Sequence, residues 1–188
     1  MYMNSITSAV VDEFIKLLSA GVLYSRNEVP KEFSDILSSF KFSKVEHINE
    51  YHRILNHMSR IGLIKREKLS DGEVYIILTA KAKKRLKSYE ISSINIPNQK
   101  KWDGKWRVLS FDIPRDMRSK RYEFLRELHR LGFEKVLQSM WVYPFPCEQQ
   151  IMQIATLLGI NEGVMYMEAN LDAENHKYLV KHFNTIIR

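Results

Sequence analysis

Two parts of this sequence have residue types and spacing that could support chemistry. The first is a lone acidic residue, Asp112, which ends a β-rich run and precedes Ile-Pro. Carboxylates are preferred Mg²⁺ ligands, and a water molecule held by Mg²⁺ can attack a phosphodiester. The second is the segment 44–62, in which amides, histidines and arginines recur at helical spacing. Side chains of these types read base edges in DNA.

The segment 44–62 has the pattern of an amphipathic helix. One apolar stripe recurs every three or four residues, formed by Ile48, Tyr51, Ile54, Leu55, Met58 and Ile61. Gly62 then ends the helix. The opposite face carries the residues predicted to contact DNA, namely Asn49, His52, Arg53, Asn56, His57 and Arg60. An ordinary solvated face carries the same residue types, and this alternative stays open at the level of sequence.

A β-hairpin is predicted directly after this helix. The strands LIKREKL and EVYIILT flank a Ser-Asp-Gly turn at 70–72, and Thr79 then caps a further helix, AKAKKRLKSY. We expect three basic hairpin residues to meet DNA phosphates: Lys65, Arg66 and Lys68.

The order helix, hairpin, helix is the winged-helix pattern, so residues 1–90 are predicted to be a winged helix-turn-helix domain. In that fold the helix before the hairpin enters the major groove. Winged helices also serve as protein-interaction modules, which is the alternative for this half.

Residues 91–104 are predicted to be a linker, and residues 105–188 a ferredoxin-like domain. The predicted order is β-α-β-β-α-β, giving a four-stranded antiparallel sheet with two helices on one face. The expected elements are a strand at Trp106–Asp112, a helix with Asp116 as N-cap, strands in FEKVLQ and SMWVYP, a helix from Glu148 to Leu158, a strand in GVMYMEA and a final helix over Asp172–Ile187. The predicted fold class is therefore α+β.

The stretch WDGKWRVLSFDIP, followed by a basic helix, LGF and SMWVYP, resembles the central domain of PaaX-type transcriptional repressors. It is also similar to the small CRISPR spacer-acquisition proteins of the Cas-two family. In addition, RILNHMSRIGLIKRE and LTAKAKKRL resemble bacterial winged-helix regulators. Together these resemblances imply a repressor that binds double-stranded DNA and forms a homodimer through its ferredoxin-like domain.

The Cas-two resemblance also implies an alternative role for Asp112. In that family the Asp ending the first strand is the proposed ligand of a Mg²⁺ ion shared across a two-fold dimer. The alternative function is thus a Mg²⁺-dependent endonuclease or spacer-acquisition protein with Asp112 as metal ligand and catalytic residue. Ser139 matches the Ser of the family's Gln-x-Ser pattern, but Leu137 stands in place of the Gln. A purely structural role, with Asp112 accepting backbone hydrogen bonds in a turn, competes with this reading.

Charge and composition set the remaining expectations. The chain has 188 residues, a formal net charge of +7 and a pI of about 9.4, which favours an anionic partner such as DNA. The helix after Asp112 has a basic side, which could steer DNA, contact another subunit or simply be solvated. This side consists of Arg115, Arg118, Lys120, Arg121, Arg126 and Arg130.

Cys147 is the only cysteine, so an internal disulfide and a cysteine-built zinc site are excluded. No apolar run reaches about 20 residues and no signal-peptide pattern is present, so we expect a cytoplasmic protein with no membrane partner. No cofactor is expected, with Mg²⁺ implied only by the nuclease alternative.

Overall fold

The computed structural model describes residues 7–22, 27–68, 74–99 and 101–187. The chain divides into two compact units, Met1–Glu90 and Ile91–Arg188. Each unit combines helices with an antiparallel sheet, which confirms the α+β class. None of the helices in the described ranges is long and apolar enough to cross a membrane.

The first unit is mostly helical and contains one hairpin. Its elements are α1 (Ser8–Ser19), α2 (Lys31–Ser39), a 3₁₀ turn (Lys44–Glu46), α3 (His47–Arg60), β1 (Ile64–Lys68), β2 (Val74–Leu78) and most of α4 (Ala80–Ser93), whose last three residues belong to the second unit. Strands β1 and β2 pair antiparallel. The predicted turn at 70–72 lies outside the described residues.

The core of the first unit is built around three aromatic rings, one from each of its first three helices. The ring centroids of Phe14 and Phe33 lie 4.7 Å apart, and those of Phe33 and Tyr51 lie 5.2 Å apart. Buried His47 fixes the start of α3, since its Nε2 meets the Phe42 carbonyl oxygen at 3.2 Å and its Nδ1 meets the Ser34 hydroxyl at 2.9 Å. The apolar stripe of α3 thus faces this core, and its polar side faces outward.

Helix α4 is longer than predicted and changes the expected linker. Thr79 caps it by accepting a hydrogen bond from the Ala82 N–H, but the helix continues to Ser93. Ile91 and Ile94 are buried among the core residues of the second unit. The first residues of the predicted linker 91–104 are therefore packed. The burial of two isoleucine side chains stabilises an ordered segment relative to a flexible linker.

The second unit contains a four-stranded antiparallel sheet. Its elements are β3 (Trp106–Phe111), a 3₁₀ turn (Arg115–Met117), α5 (Arg118–Arg130), β4 (Glu134–Leu137), β5 (Met140–Tyr143), α6 (Glu148–Leu158), β6 (Val164–Ala169) and α7 (Ala173–His182). The strand order across the sheet is β4-β5-β3-β6. In the register, Val108 lies opposite Val142 on one side and Met167 on the other.

Both faces of this sheet are covered by helices. Because side chains alternate along a strand, Leu109 and Phe111 of β3 pack with α5 and α6, whereas Trp106 and Val108 face the other way. That second face is covered by Leu179 of α7 and by Phe183, which directly follows it. The location of α7 was not predicted, and it explains why β3 is almost entirely buried.

Two helix boundaries in this unit differ from the sequence prediction. Asp116 is not the N-cap of α5: it lies in the 3₁₀ turn, and Met117 precedes α5 without a side-chain cap. The last helix begins as expected, with Asp172 accepting hydrogen bonds from the N–H groups two and three residues on. It ends at His182 rather than at Ile187, and Phe183 then turns back into the core.

Candidate nucleic-acid interface and the cleft at Asp112

The polar side of α3 forms a shallow groove of about 480 Å³. Its lining within the described residues consists of the six helix residues predicted from the sequence: Asn49, His52, Arg53, Asn56, His57 and Arg60. Asn49, Asn56 and Arg60 are exposed, and the other three are half-buried. Helical spacing has therefore brought together every residue of α3 that was predicted to contact DNA.

Two of the groove's cations make contacts within the helix. Arg53 forms an ion pair with Glu50, with 2.6 Å between Nη2 and Oε2. Arg60 donates from Nη2 to His57 Nδ1 at 3.1 Å. Because Nδ1 accepts this bond, the neutral His57 ring carries its proton on Nε2 and presents a donor there. The positive charge of Arg60 is not offset by this contact, because the acceptor is a ring nitrogen and not a carboxylate.

The hairpin places its basic residues less uniformly than predicted. Lys65 and Arg66 are both exposed, but successive strand residues point to opposite faces. Arg66 shares a face with buried Ile64, whereas Lys65 points to the other face, where it lies opposite Ile77. The backbone of Lys68 ends β1, and its side chain lies outside the described part. The prediction that Lys65, Arg66 and Lys68 meet DNA phosphates stays a prediction, with Lys65 and Arg66 on opposite faces of the hairpin.

Sequence reasoning did not identify one exposed apolar residue of the first unit. Val45 lies in the 3₁₀ turn before α3 and is 88% exposed. Val45 stands three residues before Ile48, which is the spacing of a core residue in an α-helix, but it lies in a 3₁₀ turn, where the angular spacing of side chains differs. No signal in the sequence could have shown this.

Asp112 lies in a larger concave site in the second unit, a cleft of about 1210 Å³. Its carboxylate is exposed at the end of β3. The cleft floor is a close backbone contact, in which the Asp112 N–H donates to the Gly163 carbonyl oxygen at 2.9 Å. A Cβ at residue 163 would clash with the Asp112 carbonyl oxygen, so this approach requires glycine.

The Asp112 carboxylate accepts no hydrogen bond and forms no ion pair among the residues that the structure describes. The structural role and the metal-binding role of Asp112 therefore both stay predictions. Ser139 lies in the same cleft, as do Gln138 and Glu162. Over the same described ranges, no group of three or more His, Cys, Asp or Glu residues could hold a metal ion. One chain thus supplies a single Asp112, and the Mg²⁺ site implied by resemblance would need a second copy.

The clearest electrostatic feature of the second unit is a buried arginine within strand β3. Arg107 is 1% exposed and pairs with Asp103, with 2.6 Å between Nη2 and Oδ2. The hydrogen bond from Arg107 lowers the pKa of Asp103 well below its usual value, and the same bond raises the pKa of Arg107. Arg107 also donates to the Pro144 carbonyl oxygen at 3.1 Å. It therefore ties β3 to the segment after β5.

Cys147 is buried, and burial raises the pKa of its thiol to about 12. Burial likewise raises the pKa of Tyr166, whose hydroxyl accepts a hydrogen bond from the Cys147 backbone N–H. A thiol with this pKa is protonated at neutral pH, so Cys147 is a structural residue and not a nucleophile.

Comparison with known proteins gives one match. Residues 99–180 match the family model described as PaaX protein central Cas2-like domain. The matched segment runs from before β3 into α7 and includes Asp112 and its cleft. No curated protein matches the chain. The match confirms the resemblance predicted from the WDGKWRVLSFDIP stretch and supports the PaaX-like family, with a Cas2-like central domain in the second unit.

Proposed function

We propose that this protein is a DNA-binding transcriptional repressor of the PaaX type. In this proposal the first unit is a winged helix-turn-helix domain that binds double-stranded DNA, and the second is a ferredoxin-like domain that holds a homodimer. The observation that carries the proposal is the groove of α3, where six polar and basic side chains lie together immediately before a hairpin with exposed basic residues. The PaaX-type match of residues 99–180 supports a regulatory role.

The contacts around α3 support its role as the helix that enters the major groove. Its apolar side is buried against the rest of the first unit, through Tyr51, Ile54, Leu55 and Met58. Its outer side offers two exposed amides, Asn49 and Asn56, and amides of this type can pair bidentately with adenine. Arg60, near the end of the helix, can contact guanine or phosphate. The hairpin would then lie against the DNA backbone.

The element order of the second unit supports a ferredoxin-like arrangement, because β-α-β-β-α-β with the sheet order β4-β5-β3-β6 is the pattern of that fold. One face of its sheet is covered by α5 and α6, and the other face is covered by α7. We therefore propose that the homodimer pairs through an edge strand, β4 or β6. Each of these edges exposes an apolar side chain, Leu137 at 58% and Met165 at 61%. A symmetric dimer would bind an inverted-repeat operator.

A gel-shift experiment tests this function. The purified protein is titrated against duplex DNA from upstream of its own gene, with and without Mg²⁺, and shifted and cleaved products are resolved together. We expect saturable, salt-sensitive shifting that Asn56→Ala weakens about tenfold. The control is Lys84→Ala, which removes an exposed lysine of α4 outside the groove. Absence of any shift at low salt would contradict the proposal.

The same gel tests the nuclease alternative for Asp112. Mg²⁺-dependent cleavage that is lost in Asp112→Asn would establish this alternative and replace the repressor proposal. Cleavage that persists unchanged in Asp112→Asn would come from a contaminant.

A further inference from the structure

Six arginines of the second unit fall into two groups, according to whether they form an ion pair with a carboxylate. Arg107, Arg126 and Arg130 each form ion pairs with carboxylates. By contrast, Arg115, Arg118 and Arg121 form no ion pair in the described ranges, and all three line the Asp112 cleft. The arginines that lack carboxylate partners are therefore collected in one concave site.

Aromatic side chains orient two of these guanidinium groups. Arg118 donates to the Tyr122 hydroxyl from both Nε and Nη2, at 3.3 and 3.0 Å. The guanidinium carbon of Arg121 lies 5.9 Å from the centroid of the Phe111 ring. Such contacts position a guanidinium group without neutralising its charge. Both side chains are therefore held in place while their charge remains available.

The local charge of the cleft favours an anion over a cation. Asp112 and Glu162 are the only carboxylates in its described lining, against three arginines. A Mg²⁺ ion beside Asp112 would experience repulsion from three guanidinium groups. An oxyanion would be attracted by them and could accept further hydrogen bonds from the hydroxyls of Ser110 and Ser139, which also line the cleft.

We propose that this cleft binds a small phosphate ester with a doubly charged phosphate or diphosphate group. Guanidinium groups match phosphate oxygens in bidentate geometry, and phosphate offers enough charge and acceptors to engage Arg115, Arg118 and Arg121 together. The volume of about 1210 Å³ is slightly above the common range for small-molecule pockets, and Ile113, Val164 and Met165 provide an apolar wall for the organic part. All of its lining residues belong to the second unit, and none of them lines the proposed DNA-binding groove.

Isothermal titration calorimetry of the full chain tests this site, with inorganic pyrophosphate as the probe and EDTA present. We expect saturable binding that weakens at least about tenfold in Arg118→Gln and in Arg121→Gln. The matched control is Arg126→Gln, which removes one positive charge from the same helix outside the cleft, where the side chain is 66% exposed. The control should bind like the wild type. Thermal unfolding of each variant checks that it folds, and Arg115→Gln provides an independent variant from the preceding turn.

Three results would overturn the proposal. The first is no binding of pyrophosphate by the folded wild-type protein up to about 10 mM. The second is equal weakening by Arg126→Gln, which would show attraction to overall charge. The third concerns DNA: if Arg118→Gln weakens duplex binding as much as pyrophosphate binding, the cleft contacts the DNA backbone instead. Duplex binding that is unchanged in Arg118→Gln supports a separate small-molecule site.

Discussion

The groove on α3 and the cleft at Asp112 both present arginines to solvent, but they do so in different ways. In the groove, Arg53 is paired with Glu50 and Arg60 with His57, and the surface is shallow and linear. In the cleft, none of the arginines forms an ion pair within the described residues, and the surface is concave and two to three times larger in volume. The two sites therefore suit different anions.

This difference shows how the partners of an arginine influence its use. A guanidinium group held by a neighbour on its own helix is pre-oriented along that helix, which suits reading the edges of successive bases. A set of guanidinium groups without carboxylate partners converges its charge on one point, which suits a compact phosphate group. If the two sites act independently, a substitution in one should leave the ligand of the other unaffected.

The largest effect is expected from Gly163→Ala, because the new methyl group would clash with the Asp112 carbonyl oxygen. Backbone shifts of this kind cost about 1–3 kcal/mol, so the free energy of unfolding should fall by that amount in urea denaturation. Pyrophosphate binding should also be lost, because the clash deforms the cleft floor. Asn161→Ala, at an exposed position in the same 3₁₀ turn, is the control and should retain both properties.

Arg60→Ala should weaken duplex binding by about 1–3 kcal/mol and leave pyrophosphate binding unchanged. The reason is that Arg60 lines the groove in the first unit, whereas the cleft arginines belong to the second. Fluorescence anisotropy for the duplex and calorimetry for pyrophosphate measure the two effects. A variant that loses both ligands would show that the sites are one surface.

The Asp103–Arg107 ion pair should make the second unit's stability depend on pH. The pKa of Asp103 is lowered in the folded state, so the stabilisation is fully present above the unfolded pKa of about 4, shrinks below that pH and is lost as the pH falls through the lower folded-state pKa. Asp103→Asn should lower the free energy of unfolding at pH 7 by about 1 kcal/mol, a modest value because the carboxylate is 47% exposed. Urea denaturation at pH 7 and pH 3 should show this difference shrinking at the lower pH. An equal difference at both values would contradict the assignment.

The smallest effect is expected in the hairpin. Lys65→Ala should weaken duplex binding by less than about 1 kcal/mol and lower the magnitude of the salt slope by about one. Arg66→Ala should change neither, because Arg66 points to the face that carries Ile64. Anisotropy titrations at several salt concentrations measure both quantities. Equal changes in the two variants would show that the hairpin contacts DNA through both faces.

Much of this structure could be predicted from sequence periodicity and turn chemistry. The alternating strand patterns and the helical stripe of α3 identified the order of elements, because each pattern reflects burial of one face. The six groove residues followed from the same stripe, since the opposite side of a helix is fixed once its buried side is known. The location of Asp112 at the end of β3 also followed from a strand pattern ending at Ile-Pro.

Other features depend on tertiary contacts that no local pattern encodes. The extension of α4 to Ser93 arises from burial of Ile91 and Ile94 in the second unit. The outward position of Val45 depends on a 3₁₀ turn before α3. The basic side of α5 was evident from the sequence, but its division into arginines with and without carboxylate partners depends on which acidic residues fold next to it.

A salt titration of three proteins would show whether the groove on α3 binds DNA. Anisotropy titrations of duplex DNA from upstream of the gene would compare the wild type, Asn56→Ala and Lys84→Ala across several salt concentrations. If the groove binds DNA, we expect binding that weakens as salt rises, with about tenfold loss in Asn56→Ala at every salt concentration and wild-type affinity in Lys84→Ala. Equal affinity of the wild type and Asn56→Ala, or equal losses in both variants, would contradict it.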